Sequence, residues 1–171
     1  MIARTVAEES LVRVLFVCLG NICRSPTAHG VFRKLVAEAG LAKAIESDSA
    51  GVSDYHLGEP PDLRALAAAK RRGVDISDLR ARPVMPADLA GFHHILAMDE
   101  PVLRRLSVMS RRLAPAAGGR IGLFLAHAPQ LGLREVPDPY LGGEEGFEDV
   151  LDMVEAGAKG LLDAIRREGL A

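Results

Sequence analysis

Apolar positions change their period along the chain. Val12 to Val17 is a short apolar run broken only by Arg13 and rich in β-branched residues, as in a strand buried on both faces. Ala28, Val31, Phe32, Leu35, Val36 and Ala39 then recur at helical spacing and stop at Gly40. Ser25-Pro26 supplies a preferred N-cap followed by a residue favoured at the first helical position. From Ala44 to Gly51, Ile45, Ser47 and Ser49 alternate with Glu46 and Asp48, a weaker strand pattern that completes a β-α-β unit.

Pro61-Asp62 opens a second helix, with Leu63, Leu66, Ala67 and Lys70 on its predicted core face and Lys70-Arg71-Arg72-Gly73 at its end. Val74 to Pro86 reads as loop and Ala87 to Gly91 as a short helical turn. Phe92 to Asp99 reads as a strand, and Asp99 as the cap of a third helix with Val102, Leu103, Leu106 and Met109 inward. Ser110 to Gly119 reads as a connector, and Arg120 to Ala126 as the last strand. The longest amphipathic helix follows, with Phe147, Val150, Leu151, Val154, Ala158, Leu161, Leu162 and Ile165 in register. Gly157 and Gly160 weaken it by about 1 kcal/mol each. Strands alternating with helices, without a repeat or linker, predict an α/β fold: a single three-layer domain with a small parallel sheet of about four strands and helices on both faces.

Composition changes this picture little. Hydrophobic residues make up 49% and charged residues 26% of 171 residues, which fits one soluble domain with a sizeable core. The net charge of −2 suggests neither nucleic acid nor an anionic membrane as partner. No apolar run reaches membrane-spanning length. Met1 to Ser10 carries Glu8 and Glu9 and no apolar core of a signal peptide, so residues 1–10 read as a flexible extension ahead of a domain spanning 11–171. The two cysteines, Cys18 and Cys23, are five residues apart in a turn, which points to a reducing, cytoplasmic compartment.

Candidate chemistry lies between the first strand and the first helix. A loop feeding a helix N-terminus turns backbone N–H groups into a concavity that suits an anion and stabilises a thiolate at Cys18. Arg24 adds a planar, permanently charged fork matched to phosphate oxygens. Nucleophile, oxyanion cradle and guanidinium together describe a phosphate-ester hydrolase. Asn21 tolerates a left-handed conformation and reads as structural support of the cradle. Asp138, fixed between Pro137 and Pro139, is the candidate leaving-group acid, although Asp138-Pro139-Tyr140 is by itself also an ordinary turn.

The string Val17-Cys18-Leu19-Gly20-Asn21-Ile22-Cys23-Arg24-Ser25-Pro26, with Asp138-Pro139-Tyr140 towards the C-terminus, resembles the low-molecular-weight protein tyrosine phosphatases over about Val12 to Arg167. The resemblance implies hydrolysis of phosphotyrosine and small aryl phosphates through a phosphocysteine. Cys18 is then the nucleophile, Arg24 the phosphate clamp and Asp138 the general acid and base. Leu19, Gly20, Asn21, Ile22, Cys23 and Ser25 complete the phosphate-binding loop, with Tyr55 and Tyr140 at the pocket wall. It implies no metal and no cofactor, because the loop and Arg24 supply the positive field. It also implies a phosphotyrosine protein, such as a tyrosine kinase or its target, as substrate, and inorganic phosphate as product and inhibitor.

Several roles stay open at this point. Ser25 donates to the Cys18 thiolate, as the resemblance implies, or only caps the helix, or does both. Cys23 either forms a reversible disulfide with Cys18 or is a passive buried thiol. Tyr55 and Tyr140 are either pocket walls or surface rings. Branched, apolar Ile22 stands where related arginine phosphatases carry a small polar residue. The chain departs from the family at Leu79, where a His is expected to support the loop Ser, at His29, often Glu and read here as exposed, and at Leu141, often aromatic. His93 and His94 point to opposite faces of a strand, and His56 and His127 have no recognisable partners. An arsenate reductase of the same fold is the alternative enzyme, but it relays disulfides through cysteines absent after Cys23. A phosphate-binding module or redox sensor is the non-enzymatic alternative.

Overall fold

Strand β1, Val12–Cys18, is the centre of the molecule. The computed structural model describes residues 11–116 and 119–169, so the extension expected at residues 1–10 lies outside the described residues, as does part of the expected connector. After β1 come α1 (Arg24–Glu38), β2 (Ile45–Gly51), α2 (Leu63–Arg71), α3 (Pro86–Gly91), β3 (His94–Ala97), α4 (Glu100–Leu113), β4 (Arg120–Leu123) and α5 (Glu144–Arg167). Short 3-10 turns at Phe124–His127 and Pro129–Leu131 bridge β4 to the last loop. The four strands are parallel in the order β2-β1-β3-β4.

The apolar run of β1 is explained by burial on both faces. Val12, Val14, Phe16 and Cys18 join the core shared with α1, α2 and α5; Leu15 and Val17 join the core under α3 and α4. Phe16 makes edge-to-face contacts with Phe32 at 5.6 Å and Phe124 at 5.4 Å between ring centroids. Arg13, the polar break in the run, lays its guanidinium 4.5 Å from the Phe92 ring centre and pairs with Glu46 at 3.0 Å. Strand order turns back between β1 and β3, and ligands bind beyond the carboxyl ends of strands at such a point.

Several sequence expectations need correction. Helix α1 begins at Arg24 with Cys23 at the N-cap, so Ser25 lies inside the helix and does not cap it. Helix α2 turns the opposite face inward: Leu63 is 80% exposed, whereas Ala65, Ala68 and Ala69 are buried. Small alanines let α2 lie close to α5, while Arg71 and Arg72 reach Glu148, Asp152 and Glu155 on that helix. Helix α4 continues through Ser110 to Leu113, and its arginine-rich end suits a helix C-terminus. The last strand stops at Leu123 because the chain tightens into 3-10 geometry over α5. There, a Cβ on Gly157 would stand 2.6 Å from Phe124, and one on Gly160 would stand 1.7 Å from the His127 carbonyl oxygen. These glycines admit the crossing segment and do not merely weaken α5. His29 is buried, not exposed, with Nδ1 3.3 Å from Ser49 Oγ.

Candidate active site

The loop after β1 wraps around the Cys18 sulfur. The Asn21 N–H donates to Sγ at 3.2 Å, and Ser25 Oγ lies 3.0 Å from it. Asn21 Nδ2 donates to Ser25 Oγ at 2.7 Å, which occupies an acceptor site of the hydroxyl and leaves its O–H free to point at sulfur. The Ala50 carbonyl is a longer alternative acceptor at 3.4 Å. Asn21 holds φ +58°, the left-handed conformation expected of it, and its Oδ1 accepts from Arg82 N at 3.1 Å. The Arg82 carbonyl in turn accepts from Gly51 N at 2.8 Å. Gly51 permits this approach: a Cβ there would meet the Leu19 carbonyl oxygen at 2.8 Å. Leu79 packs partly buried against the core, and Asn21, held by the Arg82 backbone, orients Ser25 in place of the expected His. A buried imidazole does lie nearby, but it comes from His29, one turn after Ser25 on α1. Burial pushes the His29 pKa down to about 4.

Arg24 is 3% exposed and held by elements distant in sequence. Its Nη1 donates to Asp99 Oδ2 at 2.6 Å and to the Val136 carbonyl at 3.0 Å. Burial opposes its charge, but the Cys18 sulfur, Asp99 and Asp138 outweigh it and raise its pKa. Asp99 also caps α4 as expected, accepting from Val102 N at 2.9 Å through its other oxygen. Cys18 and Cys23 are both free and buried. Burial, then the Asp62 carboxylate, pushes the Cys23 thiol up to about 12, so it stays a neutral thiol at ordinary pH.

Asp138 stands across the pocket mouth. Its side chain is 47% exposed, with Oδ2 3.8 Å from Arg24 Nη2 and Oδ1 accepting from Tyr140 N at 3.1 Å. Val136 N donates to the Met98 carbonyl at 2.8 Å, which fixes this loop to the end of β3. Arg64 holds its other side, donating to the Tyr140 carbonyl at 2.8 Å and the Gly142 carbonyl at 3.0 Å. Arg64 is itself gripped by Asp62, whose backbone N–H reaches the Ile22 carbonyl at 2.8 Å. Asp62 and Arg64 thus tie the cradle to the acid loop.

A cavity of about 170 Å³ is lined by Cys18, Leu19, Gly20, Ile22, Cys23, Arg24, Tyr55, Asp138 and Tyr140. Those are nine of the eleven residues singled out in the sequence; Asn21 and Ser25 stand behind the sulfur as its brace. Tyr55 is 80% exposed but does form part of the wall. Leu141 points into solvent, 95% exposed. His56 also lines the cavity, and it has a partner after all: its Nδ1–H donates to Glu59 Oε2 at 2.7 Å. Asp99, Val136, Arg82 and the Asp62–Arg64 pair were missed as site supports. Asp99 had a readable signal, an acid at the carboxyl end of a strand in the same parallel sheet. The others act through backbone atoms or across loops and carry no local pattern.

A model of the low molecular weight phosphotyrosine protein phosphatase family matches residues 13–170. A putative low molecular weight protein-tyrosine-phosphatase from Synechocystis is 41% identical over 157 residues, covering 92% of this chain and 98% of the relative. The crystal structure of YfkJ from Bacillus subtilis matches with a TM-score of 0.85 at 38% identity, over 93% of this chain and 97% of that one. The crystal structure of a drosophila arginine phosphatase matches with a TM-score of 0.84 at 29% identity, over 88% and 96% of the two chains.

Proposed function

Because the chain belongs to the low molecular weight phosphotyrosine protein phosphatase family, enzymes that hydrolyse phosphoric monoesters, we propose that residues 11–171 dephosphorylate phosphotyrosine proteins through a phosphocysteine at Cys18. The observation that carries this reading is the Cys18 sulfur, held between the Asn21 N–H and the Ser25 hydroxyl at the floor of a cavity walled by Arg24 and Asp138. The thiolate attacks phosphorus in line. Charge spreading over the equatorial oxygens meets loop N–H groups and the Arg24 guanidinium, already fixed by Asp99 and Val136. As the phosphorus–oxygen bond breaks, protonated Asp138 gives its proton to the departing phenolate. The resulting carboxylate takes a proton from water, which attacks phosphorus, breaks the sulfur–phosphorus bond and releases phosphate and the thiolate. Nucleophile and acid start in opposite protonation states, so rate against pH is bell-shaped.

Specificity follows from the wall. Ile22, Tyr55 and Tyr140 give a phenyl ring apolar and aromatic contact, which a short phosphoserine side chain cannot reach. Branched, apolar Ile22 on that wall offers no hydrogen bond to the guanidino group of phosphoarginine. Free, neutral Cys23 with no later cysteine does not suit a disulfide relay to arsenate. A reducing, cytoplasmic setting, where a Cys18 thiolate survives, suits this chemistry.

Metal-free turnover of p-nitrophenyl phosphate and a phosphotyrosine peptide, set against phosphoserine, phosphoarginine and arsenate, is the test. The two aryl esters are expected to lead the others by on the order of a hundredfold in kcat/KM. Phosphoarginine hydrolysis or thiol-dependent arsenate reduction at a matching rate would overturn the reading.

A further inference from the structure

Helix α4 carries a cationic face without a counterpart. Its sequence, EPVLRRLSVMSRRL, holds a single acid, Glu100, and that carboxylate is taken by Arg134. Arg104, Arg105, Val108, Arg111 and Arg112 recur at i, i+1, i+4, i+7 and i+8, one face of a helix. All five are exposed. Among the described residues, none of these four guanidiniums pairs with a carboxylate, whereas nine other arginines do. With a net charge of −2 on the chain, this face is a local reversal of the bulk balance.

The face begins at the active site. Asp99, the cap of α4, holds Arg24. Arg105 Nη2 donates to the Val52 carbonyl at 3.0 Å, and Val52 N donates to the Cys18 carbonyl at 3.0 Å. Val52 opens the loop that carries Tyr55 to the pocket wall. Along the helix, Arg104 and Arg105 stand about 8–9 Å beyond Asp99, and Arg111 and Arg112 about 18–20 Å. An extended peptide covers roughly 3.3–3.6 Å per residue, so these distances correspond to about three and about six residues.

We propose that this arginine face is a docking strip for an acidic stretch of the phosphoprotein substrate, reading carboxylates or further phosphates about three to six residues from the phosphotyrosine in the pocket. The inference rests on the phosphatase reading above. Arginines also attract nucleic acid and anionic lipid, but contact with the pocket rim through Arg105 and Val52 favours a chain already anchored at Cys18. Exposed pairs are individually weak, so the strip works by summed attraction, in KM and association rate rather than in the chemical step.

The test compares two phosphotyrosine peptides that differ only in carrying Glu or Gln three to six positions from the phosphotyrosine. The wild-type enzyme at low salt is expected to favour the Glu peptide by about tenfold in kcat/KM, through KM. The preference is expected to collapse near 0.5 M salt, where the screening length falls to about 4 Å. The R104Q/R111Q/R112Q variant, which leaves the Arg105 contact intact, is expected to treat both peptides alike while hydrolysing p-nitrophenyl phosphate at the wild-type rate. Equal rates on both peptides with the wild type would overturn the proposal, as would a preference that survives in the variant, or an equal fall on p-nitrophenyl phosphate. Binding of a DNA duplex or phosphatidylserine vesicles that the variant loses, without peptide discrimination, would assign the face elsewhere. Absence of turnover on every aryl phosphate would sink the phosphatase reading itself, an outcome distinct from equal turnover of both peptides.

Discussion

Around Cys18 the polar groups are buried and each has a partner, whereas around Asp138 they stand half in water. Asn21, Arg24 and Ser25 are at most 3% exposed, and the hydrogen bonds that fix them reach to Arg82, Asp99 and Val136. Asp138 is 47% exposed on its side chain and its neighbours Tyr140 and Leu141 are 45% and 95% exposed. The acid loop is tied down mainly at its backbone, by Met98 on one side and Arg64 on the other. The two halves have different tasks. A cradle for a dianion works only if its dipoles are oriented before charge develops, since reorganisation would raise the barrier. A proton carrier must meet water once per turnover and let product leave, so it gains from exposure.

Substitutions can break this contrast, starting on the rigid side. Cys18→Ser should lower phosphotyrosine hydrolysis by on the order of 10⁴-fold or more while keeping phosphate binding, because only the nucleophile is lost. Steady-state rates beside isothermal titration with phosphate check this. On the exposed side, Asp138→Asn should cost roughly a hundredfold on phenyl phosphate but much less on p-nitrophenyl phosphate, whose leaving group needs little protonation. The alkaline limb of the pH profile should flatten with it, and an unchanged leaving-group dependence would remove Asp138 from the acid role.

Arg64→Ala frees the acid loop without touching the cradle. It should lower kcat on phosphotyrosine by about tenfold and leave inhibition by phosphate unchanged. A parallel rise in the phosphate inhibition constant would show that cradle and acid loop are one unit and not two. The smallest effect concerns stability beneath the cradle. His29 has a folded pKa of about 4 against 6.5 for a free side chain, so the unfolded state binds its proton more readily. Stability from this group is complete above about pH 6.5 and is lost as pH falls towards 4, by at most about 3 kcal/mol. Burial lowers the His94 and His127 pKa values as well, and both add to the same acid-side loss. Urea midpoints at pH 7 and pH 4.5 should therefore converge in His29→Gln relative to the wild type.

What could be read from the chain follows the same contrast. The cradle is sequence-local: strand, left-handed Asn21 and helix start lie within fifteen residues, and each residue type has its own reason to be there. Burial of β1 on both faces and the inward ladder of α5 were equally legible, because periodicity reports them directly. The face of α2 was misread because leucines usually mark the core, yet closeness to α5 demanded alanines. His29 was misread because nothing local shows that β2 covers that side of α1. Ser25 was misread in part: a preferred cap residue sits two positions past the cap, inside the helix, as a donor aimed at sulfur. Arg82 and Val136 were invisible as supports, since they act through backbone amides or carbonyls, which every residue carries, and Arg64 because its guanidinium reaches carbonyls more than seventy-five residues away.

The Val136 contact also sets a clock. Arg24 and its carbonyl acceptor are 112 residues apart. At roughly 5–20 residues per second of synthesis, Val136 leaves the ribosome on the order of ten seconds after Arg24. For that interval the nascent chain holds its cysteine and its guanidinium but neither the Val136 carbonyl that completes the hold on Arg24 nor Asp138 across the pocket mouth. Competence arrives with the last third of the chain, so a product truncated before Val136 is a thiol without a phosphatase.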